Sequence, residues 1–306
     1  MNAITVTHLT RRFGEFVAVD DLTFEVQQGA IFGFLGSNGA GKSTTIRMLC
    51  GLLEPSGGTA TVGGVDVGRD PEGVKRRIGY MSQRFSLYER LTVDQNIRFF
   101  GGIYGLDAGR LERRRGFVVR MAGLEGREQV RAADLAGGWR QRLALGCAIL
   151  HEPAIVFLDE PTGGVDPVSR RRFWDLIDQL AAAGVTVLVT THYLDEAEHC
   201  HRLAIINAGR LAAIGSTGEL KQIFKDRPIL EIGSDSPVEA MRLLDAMPDV
   251  EKTSIFGTAV HAVLRPGGRS AEALARAMAD AGVPAVVAPV PPSLEDVFLE
   301  VVERAA

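Results

Sequence analysis

The chain has 306 residues, 46% of them hydrophobic and 24% charged, with a formal net charge of −4. That length is enough for two domains and a sizeable core, and the acidic balance excludes a nucleic-acid backbone as the main partner, since such partners demand a basic face. No apolar run reaches the roughly 18 residues of a membrane-spanning helix, and the N-terminus has neither the basic nor the apolar region of a secretory signal. A cytosolic protein is therefore expected, with reduced, mostly buried thiols at Cys50, Cys147 and Cys200.

Residues 4–9 alternate weakly and predict an edge strand; Leu22–Val26 predicts another, ended by Gln27-Gln28-Gly29. Ala30–Leu35 reads as a short buried strand and Thr44–Leu49 as a helix. Between them stands Gly36-Ser37-Asn38-Gly39-Ala40-Gly41-Lys42-Ser43, which fits the phosphate-cradling pattern G-x-x-x-x-G-K-[ST]. A strand, a glycine turn and a helix N-terminus aim several backbone N–H groups at one point, and the helix dipole adds positive charge there. Gly36–Ser43, with Thr44 opening the helix, is the candidate nucleotide-phosphate site. Lys42 is placed to reach the β- and γ-phosphates and the Ser43 hydroxyl to ligate Mg²⁺. A glycine-rich surface turn with a chance lysine would not need both flanking elements.

Gly57–Gly64 looks like a short strand between tight turns, and Ile78–Met81 is a strand leading into Ser82-Gln83. From about 85 to 150 the pattern is helical and charged; one helix begins over Leu91–Ile97 with Thr92 as its cap, and another runs from Arg140 to Leu150. Arg113-Arg114-Arg115 and Arg170-Arg171-Arg172 read as solvated helix faces. Ala154–Leu158 is a continuous apolar run, the mark of a central parallel strand buried on both faces, and Val185–Thr190 is a second, with a helix over Phe173–Ala183 between them. Asp159-Glu160 ends the first of these strands: Asp159 is placed to hold Mg²⁺ through water, and Glu160 to polarise an attacking water as general base. Ala204–Asn207 is a further strand with its turn at Ala208-Gly209. His199-Cys200-His201 cannot converge on one metal ion, because neighbours on a helix point apart.

Past Ser216 the order of elements becomes β-α-β-β-α-β: strands at Ile229–Ile232, Lys252–Phe256, Ala259–Leu264 and Ala285–Ala288, helices around Pro237–Ala246 and Ala271–Ala281. This predicts a small α+β domain closed by an amphipathic helix over Leu294–Val302.

In this order the motifs resemble the ATP-binding subunit of ABC transporters, closely over residues 1 to about 215. Gln83 matches the family's Q-loop, Leu135-Ala136-Gly137-Gly138-Trp139 stands where the family carries its signature, Gly164-Val165-Asp166 matches the end of the D-loop, and His192 the switch histidine. Phe13 sits where an aromatic stacks on adenine. The tail, with Ser293–Phe298, is similar to the extension of ATPases that pair with ABC-2 type exporter permeases.

The resemblance implies a P-loop NTPase (ABC ATPase) core over 1–215 with an inserted helical subdomain, α/β in class, and a C-terminal α+β accessory domain over 216–306. It implies ATP and Mg²⁺ as cofactors, with Gln83 joining Ser43 and Asp159 at the metal, and Lys42, Gln83, Glu160 and His192 as catalytic residues. Two copies would stack head to tail, each ATP held between one copy's phosphate loop and the other's Ala136-Gly137-Gly138, with Asp166 linking the sites. The pair would power a separate permease, an exporter, from the cytoplasmic face of the membrane. The signature departs from LSGGQ: Ala136 replaces the serine that bonds the γ-phosphate, and Trp139 replaces the glutamine. A soluble ABC-type ATPase acting on nucleic acid or ribosomes would carry paired modules or a very long coiled-coil insertion, and one phosphate loop occurs here. A regulatory module that binds nucleotide without turnover would not need Glu160.

Overall fold

The computed structural model describes residues 1–83 and 87–304, so the expected start of the helical region near 85 lies outside the described residues. Two compact units result: Met1–Thr217 together with the chain end from Val301, and Gly218–Glu300.

In the first unit, β1 (Asn2–Phe13) and β2 (Phe16–Gln27) pair antiparallel. With β4 (Gly57–Val62) and β5 (Val65–Asp66) they form a four-stranded sheet in the order β2-β1-β4-β5. β1 is longer than the sequence pattern predicts, because the register shifts along the hairpin and the burial alternation breaks where they fall. A second sheet of six strands runs β10-β9-β3-β8-β7-β6, built from β3 (Ile31–Leu35), β6 (Ile78–Met81), β7 (Ile155–Asp159), β8 (Thr186–Thr191), β9 (Arg202–Asn207) and β10 (Arg210–Gly215). Its neighbours pair parallel except β10, which runs antiparallel to β9.

Every residue of β3, β7 and β8 is buried. That is why these segments read as unbroken apolar runs rather than alternating ones. The two sheets share a core in which Phe24 of β2 packs against Phe32 and Phe34 of β3, with ring centroids 5.5 and 5.2 Å apart.

The helices of this unit are α1 (Lys42–Leu49), α2 (Pro71–Lys75), α3 (Val93–Ile103), α4 (Ala108–Ala122), α5 (Gly137–Ala148), α6 (Pro167–Ala182) and α7 (Leu194–Ala197); α8 (Thr217–Lys221) starts at the boundary and belongs to the second unit from Gly218 on. Thr92 caps α3 as expected, in a full capping box with Gln95. α6 starts six residues before the predicted Phe173, because Asp166 caps it and Pro167 supplies its first turn.

Arg113, Arg171 and Arg172 are exposed, as solvated faces require, but Arg114, Arg115 and Arg170 are half-buried and bonded. Arg114 of α4 donates to the carbonyls of Ile149 and Leu150, just past the end of α5, and Arg115 ion-pairs with Asp94. Arg170 of α6 faces the buried Glu196. His199, Cys200 and His201 diverge: His199 stacks on Trp174, Cys200 is buried, and His201 Nδ1 accepts from Ile31 N. All three cysteines are buried and free.

The second unit holds β11 (Ile229–Gly233), α9 (Pro237–Asp245), β12 (Val250–Phe256), β13 (Ala259–Leu264), α10 (Ala271–Asp280) and β14 (Val286–Val290), followed by α11 (Leu294–Arg304). Its antiparallel sheet, β12-β13-β11-β14, has the order of a split β-α-β fold, with α9 and α10 laying Leu244, Leu274 and Met278 on Ile232, Val260 and Ala262. Here the predicted element order and the observed one agree.

Candidate nucleotide site

Four strand ends build the site. β3 runs into the phosphate loop, which rises into α1 at Lys42. Gly41 sits at the helix N-cap with φ 104°, and a Cβ there would lie 2.6 Å from the Ala18 carbonyl of β2. Only glycine meets both demands, the left-handed backbone and the close approach. Ser37, Asn38 and Gly39 are exposed at the crest of the loop; Gly36 and Ala40 are buried beneath it. Ser43 and Thr44 are half-buried in the first turn of α1.

Lys42 is 3% exposed. Its Nζ donates to the carbonyls of Gly36 (2.8 Å) and Ser37 (3.1 Å) and lies 3.4 Å from Glu160 Oε1. Burial pulls the ammonium below the ordinary lysine range, against the opposing pull of Glu160 and Asp159. The lysine is therefore an under-neutralised buried cation. Phosphate oxygens arriving over the loop would supply the charge it lacks.

Asp159, fully buried at the end of β7, accepts the Ser43 hydroxyl and the Thr190 hydroxyl on the same oxygen, Oδ1, both at 2.8 Å. Its other oxygen, Oδ2, is buried and has no hydrogen-bond partner. An orphaned carboxylate oxygen beside a serine hydroxyl is a hard oxygen donor set, which fits a small divalent cation such as Mg²⁺.

Glu160 is where Gln83, His192 and Lys42 meet. Gln83 Nε2 donates to its Oε2 at 2.9 Å, His192 Nδ1 stands 3.4 Å from the same oxygen, and Lys42 holds Oε1. Gln83 thus stands at the carboxylate of Glu160. The Glu160 backbone is left-handed, with φ 46°, and is held there by its N–H donating to Thr190 Oγ1 at 2.8 Å. A non-glycine residue in that region costs about 1 kcal/mol, and such strain collects at functional sites. Thr190 therefore holds the Asp159 carboxylate and the Glu160 backbone through one hydroxyl. Sequence reasoning passed over it, because a threonine in a buried strand is an ordinary β-former.

The other candidates lie in local structures of their own. Phe13 ends β1 opposite Phe16, is 47% exposed, and carries the Arg11 guanidinium 4.5 Å from its ring centroid. Ala136 is the N-cap of α5 with no side-chain cap, and it and Gly137 are exposed. Gly138 packs on Ser169 of α6 so closely that a Cβ would fall 2.4 Å from its hydroxyl oxygen. Asp166 accepts from Ser169 N at 2.9 Å, and that bond above all lowers its carboxyl pKa. Signature and D-loop are thus one packed corner of the chain. Trp139 takes the Arg127 guanidinium on its ring, 4.2 Å from the centroid.

The family model for ABC transporters matches residues 19–163. The Nod factor export ATP-binding protein I of Cupriavidus metallidurans is 35% identical over 303 residues, 98% of this chain and 97% of that protein. The chain belongs to the ABC transporter ATP-binding family. The daunorubicin/doxorubicin resistance ATP-binding protein DrrA of Streptomyces peucetius is 42% identical to this cassette over 248 residues, 80% of the chain and 75% of DrrA. The probable multidrug ABC transporter ATP-binding protein YbhF of Escherichia coli is 49% identical over 221 residues, 71% of the chain, but the matched stretch spans only 38% of that protein. Among solved structures, an ATP-binding subunit of an ABC transporter superposes with a TM-score of 0.67 at 32% identity, over 73% of the cassette and 93% of the subunit.

Proposed function

We propose that the cassette binds ATP with Mg²⁺, hydrolyses it, and as a head-to-tail pair drives a separate membrane permease. The observation that carries this reading is the convergence on Glu160: Lys42, Gln83 and His192 all reach its carboxylate, beside Ser43 and Asp159. Lys42 and the N–H groups of Gly39–Ser43 bind and orient the β- and γ-phosphates. Ser43 and Asp159 hold Mg²⁺, which supplies neutralisation of charge on the phosphate oxygens. Glu160 accepts the proton of the attacking water, and His192, beside it, holds the γ-phosphate as the bond breaks. Gln83 moves with Glu160, so what happens at the nucleotide is felt at the entrance to the helical subdomain.

Ala136 and Gly137, exposed at the N-terminus of α5, with Gly138 buried beneath them, close over the γ-phosphate of a second copy, where the N–H groups of the first turn and the helix dipole favour an anion. Asp166 adjoins that contact. Phe13, exposed and with Arg11 over one side of its ring, offers the other side to the adenine. The domains divide as 1–215 for catalysis and 216–306 for an accessory role. The permease in this reading is a separate chain and the cassette works on its cytoplasmic side; no helix among the described residues is long and apolar enough to cross a membrane. Relatives named for drug resistance and for Nod factor export support an exporter.

The test is phosphate release and ATP binding by the purified chain. Wild type releases phosphate with Mg²⁺ and stops when the metal is chelated, and Lys42→Ala loses binding. Metal-independent release, or full binding by Lys42→Ala, refutes the site assignment.

A further inference from the structure

Beyond the residues around the phosphates, one buried carboxylate lies behind both Glu160 and His192. Glu196, in the short helix α7, is 2% exposed, and its two hydroxyl partners, Thr162 and Thr191, are each 1% exposed. Glu196 Oε1 accepts the Thr162 hydroxyl, and Oε2 accepts the Thr191 hydroxyl at 2.6 Å. Thr162 is two residues after Glu160 in the turn that follows β7; Thr191 immediately precedes His192 at the end of β8. A single carboxylate thus ties the turn bearing the base to the turn bearing the histidine.

The turn after His192 is tied to the same point. Tyr193 N donates to Thr191 Oγ1 at 3.0 Å. Arg170 Nε lies 3.4 Å from Glu196 Oε1, while its guanidinium covers the Tyr193 ring at 4.1 Å and also reaches Asp195 at 3.2 Å. Arg170 belongs to α6, the helix capped by Asp166. Glu196 therefore joins three segments: the base turn, the histidine turn and the helix of the D-loop corner.

A buried carboxylate is expensive to desolvate, and an apolar group of similar size is often as stable or more so. Its value here is geometric. Two hydroxyl donors on two oxygens of one rigid group fix the separation of the segments that carry them. Glu160 sits in a strained left-handed backbone and stands 3.4 Å from His192, so a small slip of either turn would separate them.

We propose that Glu196 is a positioning residue for ATP hydrolysis, setting Glu160 and His192 against each other through Thr162 and Thr191. The proposal rests on the hydrolytic reading above. Glu196→Gln keeps the shape but puts an amide N–H where one acceptor oxygen stood, so one of the two threonine hydroxyls must turn from donor to acceptor, and the negative charge facing Arg170 is lost.

The experiment is steady-state ATP hydrolysis by the full chain, wild type against Glu196→Gln, each alone and in a His192→Ala background. Glu196→Gln should lower kcat about tenfold or more, the scale of a sub-ångström misplacement, while KM for ATP changes by less than about threefold. In the His192→Ala background the same change should cost less than about twofold further, because residues that act as a unit are not additive. A merely structural role would lower the melting temperature without this split and without dependence on His192. If Glu196→Gln does not fold, Thr162→Val and Thr191→Val each remove one bridge and must show the same pattern. An unchanged kcat, a rise in KM alone, or losses that multiply with His192→Ala overturn the positioning role and leave the hydrolytic reading standing. A folded wild type that hydrolyses nothing overturns both.

Discussion

At the scale of single residues, the site is a set of under-satisfied groups. Lys42 is a buried cation whose pKa is lowered by desolvation, Asp159 Oδ2 has no partner, and Glu160 holds a strained backbone. A metal-bound nucleotide would complement the first two, with phosphate oxygens for the ammonium and a cation for the orphaned oxygen. Ala136 is a deficiency of another kind. It is the N-cap of α5 and offers no side-chain acceptor. Ala136→Ser would supply two things at once, since a hydroxyl accepts from the helix N–H while donating outward. As a cap it adds about 0.5–2 kcal/mol to the nucleotide-free protein. As a γ-phosphate donor it adds roughly 1.5–3 kcal/mol to ATP-driven pairing. Melting without nucleotide reads the first, and ATP-dependent dimerisation by light scattering reads the second. A gain in melting temperature with no gain in dimerisation would separate the hydroxyl from the partner's phosphate.

The residues legible in the sequence are those whose chemistry is local in the chain. The phosphate loop announces itself, because eight consecutive residues carry both its backbone conformation and its cation. Asp159 and Glu160 follow a strand that is buried on both faces and therefore visible as an apolar run. Thr190 and Glu196 were not legible: each acts on partners about 30 residues away in sequence, by a side chain ordinary for its element. Arg114, Arg115 and Arg170 were not legible for the same reason. A charge run looks solvated until the fold brings carbonyl ends and a buried carboxylate to it.

At the scale of elements, His151 joins three of them. It follows α5, stacks on Tyr104 at the end of α3 with centroids 3.8 Å apart, and donates from Nε2 to the carbonyl of Ile78 in β6 at 3.1 Å. Burial pushes its pKa down to about 4, with Arg110 and Arg114 adding to the shift and the bond to Ile78 opposing it. The unfolded chain takes up a proton near pH 6.5, whereas the folded chain resists until about 4. Stability from this group is therefore full above 6.5 and is lost as pH falls toward 4, at a slope approaching ~1.4 kcal/mol per pH unit. His151→Gln keeps a donor for Ile78 and does not titrate. Urea midpoints followed from pH 7 to 4 should fall more steeply for wild type than for the variant; parallel curves would show that His151 is not the group concerned.

The element order was largely readable: the alternating strands and helices of the first unit, and β-α-β-β-α-β in the second. Less readable were helix α4, whose charged surface hides a narrow buried stripe of Val118, Val119 and Ala122, and the true start of α6, set by a cap that also belongs to a functional motif.

For the whole molecule, the central claim is that one cassette holds half of each ATP site. Its phosphate loop, Asp159, Glu160 and His192 form one face, and the α5 corner, with Ala136–Gly138 and Asp166, forms the other. Glu160→Gln tests this most directly, because it removes the proposed base while keeping the shape that Lys42, Gln83 and His192 hold. With ATP and Mg²⁺, size-exclusion chromatography should show this variant as an ATP-loaded dimer, and its phosphate release should fall by about 10²–10⁴. Normal turnover, or a variant that binds ATP and remains a monomer, would contradict the account.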